Sequence, residues 1–136
     1  MTHLQRVREE FEQSTYWKWF GMEVDTLEKE HVVLTLPYRE TFDNVRDSVH
    51  GGVYMSLLDT AMGMHCRTLG YDEVMTIDLS TNFLRPVVRG TLRATARTIH
   101  RTRSTVLVEG TLYNDEKELV AFSTATFRVY SHEKND

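Results

Sequence analysis

His50-Gly51-Gly52 opens an otherwise apolar stretch, HGGVYMSLLDTAMGMH, that runs to residue 65. Asp59 is the only charged residue between Gly52 and Cys66, a window in which average usage would place about four. A helix start presents free backbone N–H groups and a partial positive charge. Glycine there lets a ligand come close to the backbone. Gly51 and Gly52 are therefore candidates for an oxyanion site, the Gly51 amide aimed at a polarised carbonyl. They would equally serve a tight turn from loop to helix. Asp59 is a candidate nucleophile or base, or else an aspartate facing solvent or satisfied by nearby hydroxyls.

Spacing limits what these groups can do together. Gly51 and Asp59 are eight residues apart, about 12 Å along a helix axis. They cannot both touch one small reacting group from the same helix. If both act, Asp59 works with the Gly51 amide of a second copy, as two antiparallel helices across a two-fold axis would allow. The stripe Ser56, Asp59, Thr60 and Gly63 consists of small side chains. We expect one face of the helix to lie on its own sheet and this stripe to be covered by a partner subunit.

The flanking sequence supplies the elements that must hold this helix. Leu4, Val7 and Phe11 lie at helical spacing among charged residues, which predicts an amphipathic surface helix ending near the aromatic cluster of residues 16–20. Residues 22–27 and 31–36 predict a hairpin. Residues 41–49 read as a loop, and the central helix closes at Gly70. After it, Met75, Ile77, Leu79, Thr81 and Phe83 alternate with Thr76, Asp78, Ser80 and Asn82. Residues 91–99, 104–113 and 119–130 follow as strands, connected too tightly for helical crossovers and so antiparallel. The predicted class is α+β, a curved antiparallel sheet of five to six strands wrapped around one long helix, with an N-terminal helix beside it.

In this element order, Asn44, His50-Gly51-Gly52 and Asp59 resemble the signature of hotdog-fold acyl-CoA thioesterases of the PaaI-like branch. The resemblance covers nearly the whole chain, from Trp19-Phe20-Gly21 to the last strand, and implies one hotdog domain over residues 1–136. It implies that Gly51 polarises the thioester carbonyl, that Asn44 helps fix or polarise it, and that His50 orders the loop. Asp59 of the other subunit would be the nucleophile or the base for water, and Thr76 would position that water. It also implies homodimers that pair into tetramers, and hydrolysis of an acyl-CoA with no cofactor, CoA being part of the substrate. Arg85, Arg89, Arg101 and Arg103 are candidates for the CoA phosphates, since arginine suits bidentate phosphate contact, although ordinary surface charge explains each equally well. Three positions depart from the family pattern: Asp47 stands where a glycine is common, the turn at Lys117-Glu118 lacks its usual glycine, and Thr102 interrupts a common Gly-Arg pair. Two other functions compete, a hotdog hydratase or dehydratase and a non-catalytic acyl-CoA-binding protein.

Composition excludes other classes. A formal net charge of −4 gives no support to nucleic-acid binding. No apolar run approaches the roughly 20 residues of a membrane span. The charged N-terminus lacks the apolar core of a secretory signal, which predicts a cytoplasmic protein. The single cysteine, Cys66, rules out an internal disulfide and reads as a buried filler. His50 and His65 lie about 22 Å apart by helical rise, so they share no metal ion within one chain, and none is expected.

Overall fold

The computed structural model describes residues 1–132. The elements run α1 (His3–Glu12), α2 (Thr15–Phe20), β1 (Glu23–Glu28), β2 (His31–Pro37), a 3-10 turn (Glu40–Phe42), α3 (Gly51–Thr68), β3 (Glu73–Phe83), β4 (Thr91–Arg101), β5 (Thr105–Tyr113) and β6 (Leu119–Tyr130). Six antiparallel strands form one sheet in the order β1-β2-β4-β5-β6-β3, curved around α3. This is the α+β hotdog arrangement the sequence led us to expect. No helix among the described residues is long and apolar enough to cross a membrane.

The N-terminal segment forms two helices where one was expected. Thr2 and Gln5 make a reciprocal capping box on α1. Ser14 then starts α2 by accepting the Trp17 N–H, and Gly21 ends it in the left-handed region at φ 89°. A chain with an N-cap residue at position 14 restarts its helix there, and this separates the charged α1 from the aromatic α2.

Leu57, Leu58, Ala61, Met62 and Met64 of α3 are fully buried. Val106, Val108 and Leu112 of β5 are likewise fully buried and belong to the same core. Burial contributes roughly 1.5–3 kcal/mol for each such large aliphatic side chain. Helix and sheet pack tightly at Gly110, where a Cβ would stand 3.0 Å from Met62 Sδ and 3.1 Å from Leu58 Cδ2. The helix ends at Thr68, and Gly70 beyond it takes φ 110°. Cys66 is fully buried, and burial pushes its thiol up to about 12.

Strand β3 lies at one edge of the sheet beside β6, and its side chains do not follow the simple alternation expected of them. Its register with β6 shifts between Thr76 and Asp78, a β-bulge at Ile77. Before the bulge, Val74 and Thr76 face α3; after it, Leu79 and Thr81 face inward. Met75 and Ile77 are left 59% and 57% exposed.

Candidate active site at the start of the central helix

Gly51 and Gly52 have different tasks. His50 is the N-cap of α3, and its Nδ1 accepts the Gly52 N–H at 2.8 Å. A Cβ on Gly52 would stand 3.1 Å from that nitrogen, so a side chain there would press on the cap. The Gly51 N–H is one of the helix's orphan donors, and among the described residues no acceptor engages it. Of the two amides considered from sequence, Gly51 alone stays available to a ligand.

Gly51 lines a cavity of about 320 Å³ together with Asn44, Ser48, Tyr54, Phe83, Arg85 and three further residues of the flanking loops. The Phe83 ring forms one wall, 3.1 Å from where a Gly51 Cβ would be. Tyr54 is buried and donates its hydroxyl to the Arg85 carbonyl at 3.0 Å; burial raises its phenol to about 12, so it remains a neutral donor.

Asn44 shapes the loop that leads to His50. Its Oδ1 accepts the Arg46 and Ser48 N–H groups at 2.8 and 3.2 Å, and its Nδ2 donates to Ser48 Oγ at 3.1 Å. The backbone closes the loop through Asn44 N–H to the Ser48 carbonyl at 2.7 Å. These bonds hold Asp47 at φ 61°, a conformation that favours glycine. The β5–β6 turn repeats the device: Asn114 Oδ1 accepts from Glu116 and Glu118, and Lys117 sits at φ 64°. Both sites where the sequence lacks a customary glycine are thus left-handed positions stabilised by an asparagine three residues earlier.

Asp59 is partly buried on the side of α3 that meets the edge strand β3, and its Oδ1 accepts the Thr76 hydroxyl at 2.7 Å. The bulge at Ile77 is what lets Thr76 face the helix. The stripe around Asp59 is covered by its own chain more than expected. Ser56 accepts the Tyr16 hydroxyl of α2 at 2.7 Å, Thr60 lines a cavity with α1 and α2, and Gly63 packs on Phe127 and Val74. What remains open lies around Asp59 and Met55, between β3 on one side and α2 on the other.

The four arginines divide between two ends of the sheet. Arg85 lines the Gly51 cavity and pairs with Glu118 at 3.6 Å. Arg89 lies exposed in the same connection before β4. Arg101 is at the far end of β4, where it donates to the Tyr71 hydroxyl at 2.7 Å and stacks on that ring, and Arg103 is exposed in the following turn. Within one chain only Arg85 accompanies Gly51.

Sequence reasoning missed Ser48 as the partner of Asn44. It also missed Asp43, which lines a second cavity on the other side of the helix start. The signal for Ser48 was its place four residues after an asparagine in a short polar loop.

The comparisons agree with this geometry. The Thioesterase superfamily model matches residues 47–121. The acyl-coenzyme A thioesterase PaaI of Escherichia coli is 30% identical over 123 residues, 90% of this chain and 84% of that protein. The medium/long-chain acyl-CoA thioesterase YigI of Escherichia coli is 31% identical, over 80% of this chain and 81% of that one. The solved structure of the E. coli PaaI protein from the phenylacetic acid degradation operon superposes with a TM-score of 0.88 at 25% identity, covering 95% of this chain and 94% of that one. A family match over more than half the chain, on this fold and around this helix start, identifies the protein as a thioester hydrolase: the chain belongs to the thioesterase superfamily, in its PaaI-like hotdog branch.

Proposed function

We propose that the protein hydrolyses an acyl-CoA thioester at a site shared by two subunits, with the Gly51 amide of one and Asp59 of the other. The observation that carries this reading is that the two groups lie about 12 Å apart along one helix, each open to a ligand and neither close enough to complete the other. The exposed edge strand β3, with Met75 and Ile77 outward, supplies the kind of unpaired edge that a second copy covers. A homodimer built on that edge and on the open face of α3 then brings the two groups together, and dimers pair further into a tetramer.

In the reaction, the thioester carbonyl accepts a hydrogen bond from the Gly51 N–H, strengthened by the helix dipole. The partner's Asp59 either attacks the carbonyl carbon or removes a proton from the attacking water. The tetrahedral intermediate expels CoA as its thiolate, which takes up a proton; attack by water releases the acid directly, whereas attack by Asp59 leaves a mixed anhydride that water then hydrolyses to the acid and the free carboxylate. Thr76 holds the carboxylate by its hydrogen bond. His50 fixes the helix start and Asn44 fixes the loop before it, so both position the Gly51 amide. Arg85 suits the CoA diphosphate, because it projects from the wall of the Gly51 cavity.

The test is a hydrolysis panel of short, medium, long and aryl CoA esters on the purified protein, followed by a single turnover in ¹⁸O-labelled water. Turnover of saturated acyl-CoA esters is expected. Label in the Asp59 carboxylate marks direct attack, and label confined to the released acid marks attack by water. Binding of every ester with hydrolysis of none would overturn the reading.

A further inference from the structure

Arg85 lines the Gly51 cavity on a backbone that is fixed from two sides. Its carbonyl accepts the Tyr54 hydroxyl of α3 at 3.0 Å. Its N–H and that of Leu84 donate to the Val120 carbonyl of β6 at 3.2 and 2.8 Å. Pro86 follows and restricts the backbone further. The side chain is the part left to move. It is 55% exposed, and its Nη1 lies 3.6 Å from Glu118 Oε2. Among the described residues the guanidinium makes no hydrogen bond.

Glu118 is held by one residue. Asn114 donates its Nδ2 to Glu118 Oε1 at 2.8 Å, accepts the Glu118 N–H on Oδ1 at 2.9 Å, and donates its own N–H to the Glu118 carbonyl at 3.1 Å. These bonds hold the carboxylate back from Arg85. By contrast, the pairs Arg8–Glu12, Arg67–Glu10 and Arg97–Glu109 close to 3.1, 2.9 and 2.7 Å and are hydrogen-bonded. At 3.6 Å Glu118 offers Arg85 its charge but accepts no hydrogen bond. A diphosphate offers both, because its oxygens match the guanidinium fork.

We propose that Glu118 is a positioning residue that competes with the CoA diphosphate for Arg85: it holds the guanidinium in the free protein, yields it as substrate binds, and takes it back as the CoA product leaves. The inference rests on the acyl-CoA reading above, with Arg85 as the diphosphate ligand. Substrate and product carry the same diphosphate, so the competition loosens both by the same factor. A pair between half-exposed side chains is worth about a two- to fivefold change in an equilibrium constant. Substrate binding overrides a factor of that size, and release of CoA gains from it.

The test uses three thioesters of the best-hydrolysed acyl group: the CoA ester, the dephospho-CoA ester, which keeps the diphosphate, and the pantetheine ester, which has none. The inhibition constant of free CoA is measured beside them. Glu118→Gln keeps an oxygen for Asn114 and removes the charge. It should raise kcat/KM on the first two esters and lower the inhibition constant of CoA, each by about two- to fivefold, and leave the pantetheine ester unchanged. The gain should shrink in about 1 M salt, where exposed charges are screened within about 3 Å. Arg85→Gln should weaken CoA by about tenfold or more. In that background Glu118→Gln should move the inhibition constant by less than about twofold, since the two residues act as one pair. Glu116 is exposed on the same turn and does not contact Arg85, so Glu116→Gln removes the same charge and should change none of these values.

No change with Glu118→Gln would overturn the inference. So would an equal change with Glu116→Gln or on the pantetheine ester, or an undiminished change without Arg85. CoA-ester hydrolysis with an Arg85→Gln protein that binds CoA as wild type does would overturn the competition and leave the acyl-CoA reading standing. Hydrolysis of no ester would remove that reading as well.

Discussion

A mixed dimer tests the shared site most directly. Asp59→Asn keeps a side-chain oxygen to accept from Thr76, so the fold should lose less than about 1 kcal/mol and the melting temperature should fall by less than about 5 °C. Without a carboxylate, turnover should fall by about 10²–10⁴-fold, the usual contribution of a positioned base. Gly51→Val damages the complementary half. Its Cβ would stand 3.1 Å from Phe83 Cε1, and its methyl groups enter the cavity lined by Asn44 and Arg85. Phe83 is half exposed and can swing outward, so the variant should fold with a blocked site. Co-expressed with two affinity tags, the variants yield a dimer holding one Asp59→Asn subunit and one Gly51→Val subunit. One of its sites then combines the intact Asp59 with the intact Gly51, while the other holds both substitutions. Its activity should be about half that of wild type, because one of two equivalent sites survives. The readout is release of free CoA trapped by a thiol reagent. Cys66 gives no background, since its thiol is buried and held protonated. A mixed dimer no more active than its parents would refute the reasoning, because groups acting within one subunit leave neither site intact.

Thr76→Val removes the hydroxyl that holds Asp59 and should lower kcat by about tenfold with KM little changed, and Thr76→Ser should restore it; equal kcat in Val and Ser variants would count against a positioning role. Burial lowers the pKa of His65, whose Nδ1 has no partner. As pH falls through about 6.5 the unfolded chain takes up a proton that the folded one resists, so stability present above that pH is lost on acidification. Melting temperatures measured between pH 7.5 and 5 should fall for wild type and fall less for His65→Gln. Lys117→Gly relieves a left-handed non-glycine residue at φ 64° and should raise stability by up to about 1 kcal/mol, seen as a higher melting temperature.

The sequence carried the fold well because its long elements have strong periods. The helix from Gly51 was legible from its apolar run and its glycine past the end, and β6 from its β-branched and aromatic content. The break between α1 and α2 was written in Ser14 but hidden by continuous amphipathic spacing across it. The bulge in β3 was not legible. Alternation across residues 75–83 looks regular in type, yet one inserted residue reverses which side faces the helix. Polar Thr76 then takes a place beside Asp59, and apolar Met75 and Ile77 turn outward. Neither placement favours an isolated chain.

That apparent misplacement bears on function. A strand with the simple alternation would point Met75 and Ile77 at the core and Thr76 away from Asp59. The bulge places a hydroxyl on the carboxylate and an apolar strip on the sheet edge in one step. Exposed Met75 and Ile77 cost free energy in a monomer and recover it only when another surface covers them. The device that aims the residue holding Asp59 therefore also creates the surface that the proposed partner subunit would cover. Deleting Ile77 should separate the two roles: Thr76 and Asp78 already pair with the adjacent residues Phe127 and Thr126, so the strand would become regular with Thr76 still on Asp59 and with Ile77 gone from the apolar strip. A shift toward monomer in sedimentation is the expected result, with turnover regained at protein concentrations that restore association, and unchanged association would show that the strip does not recruit a partner.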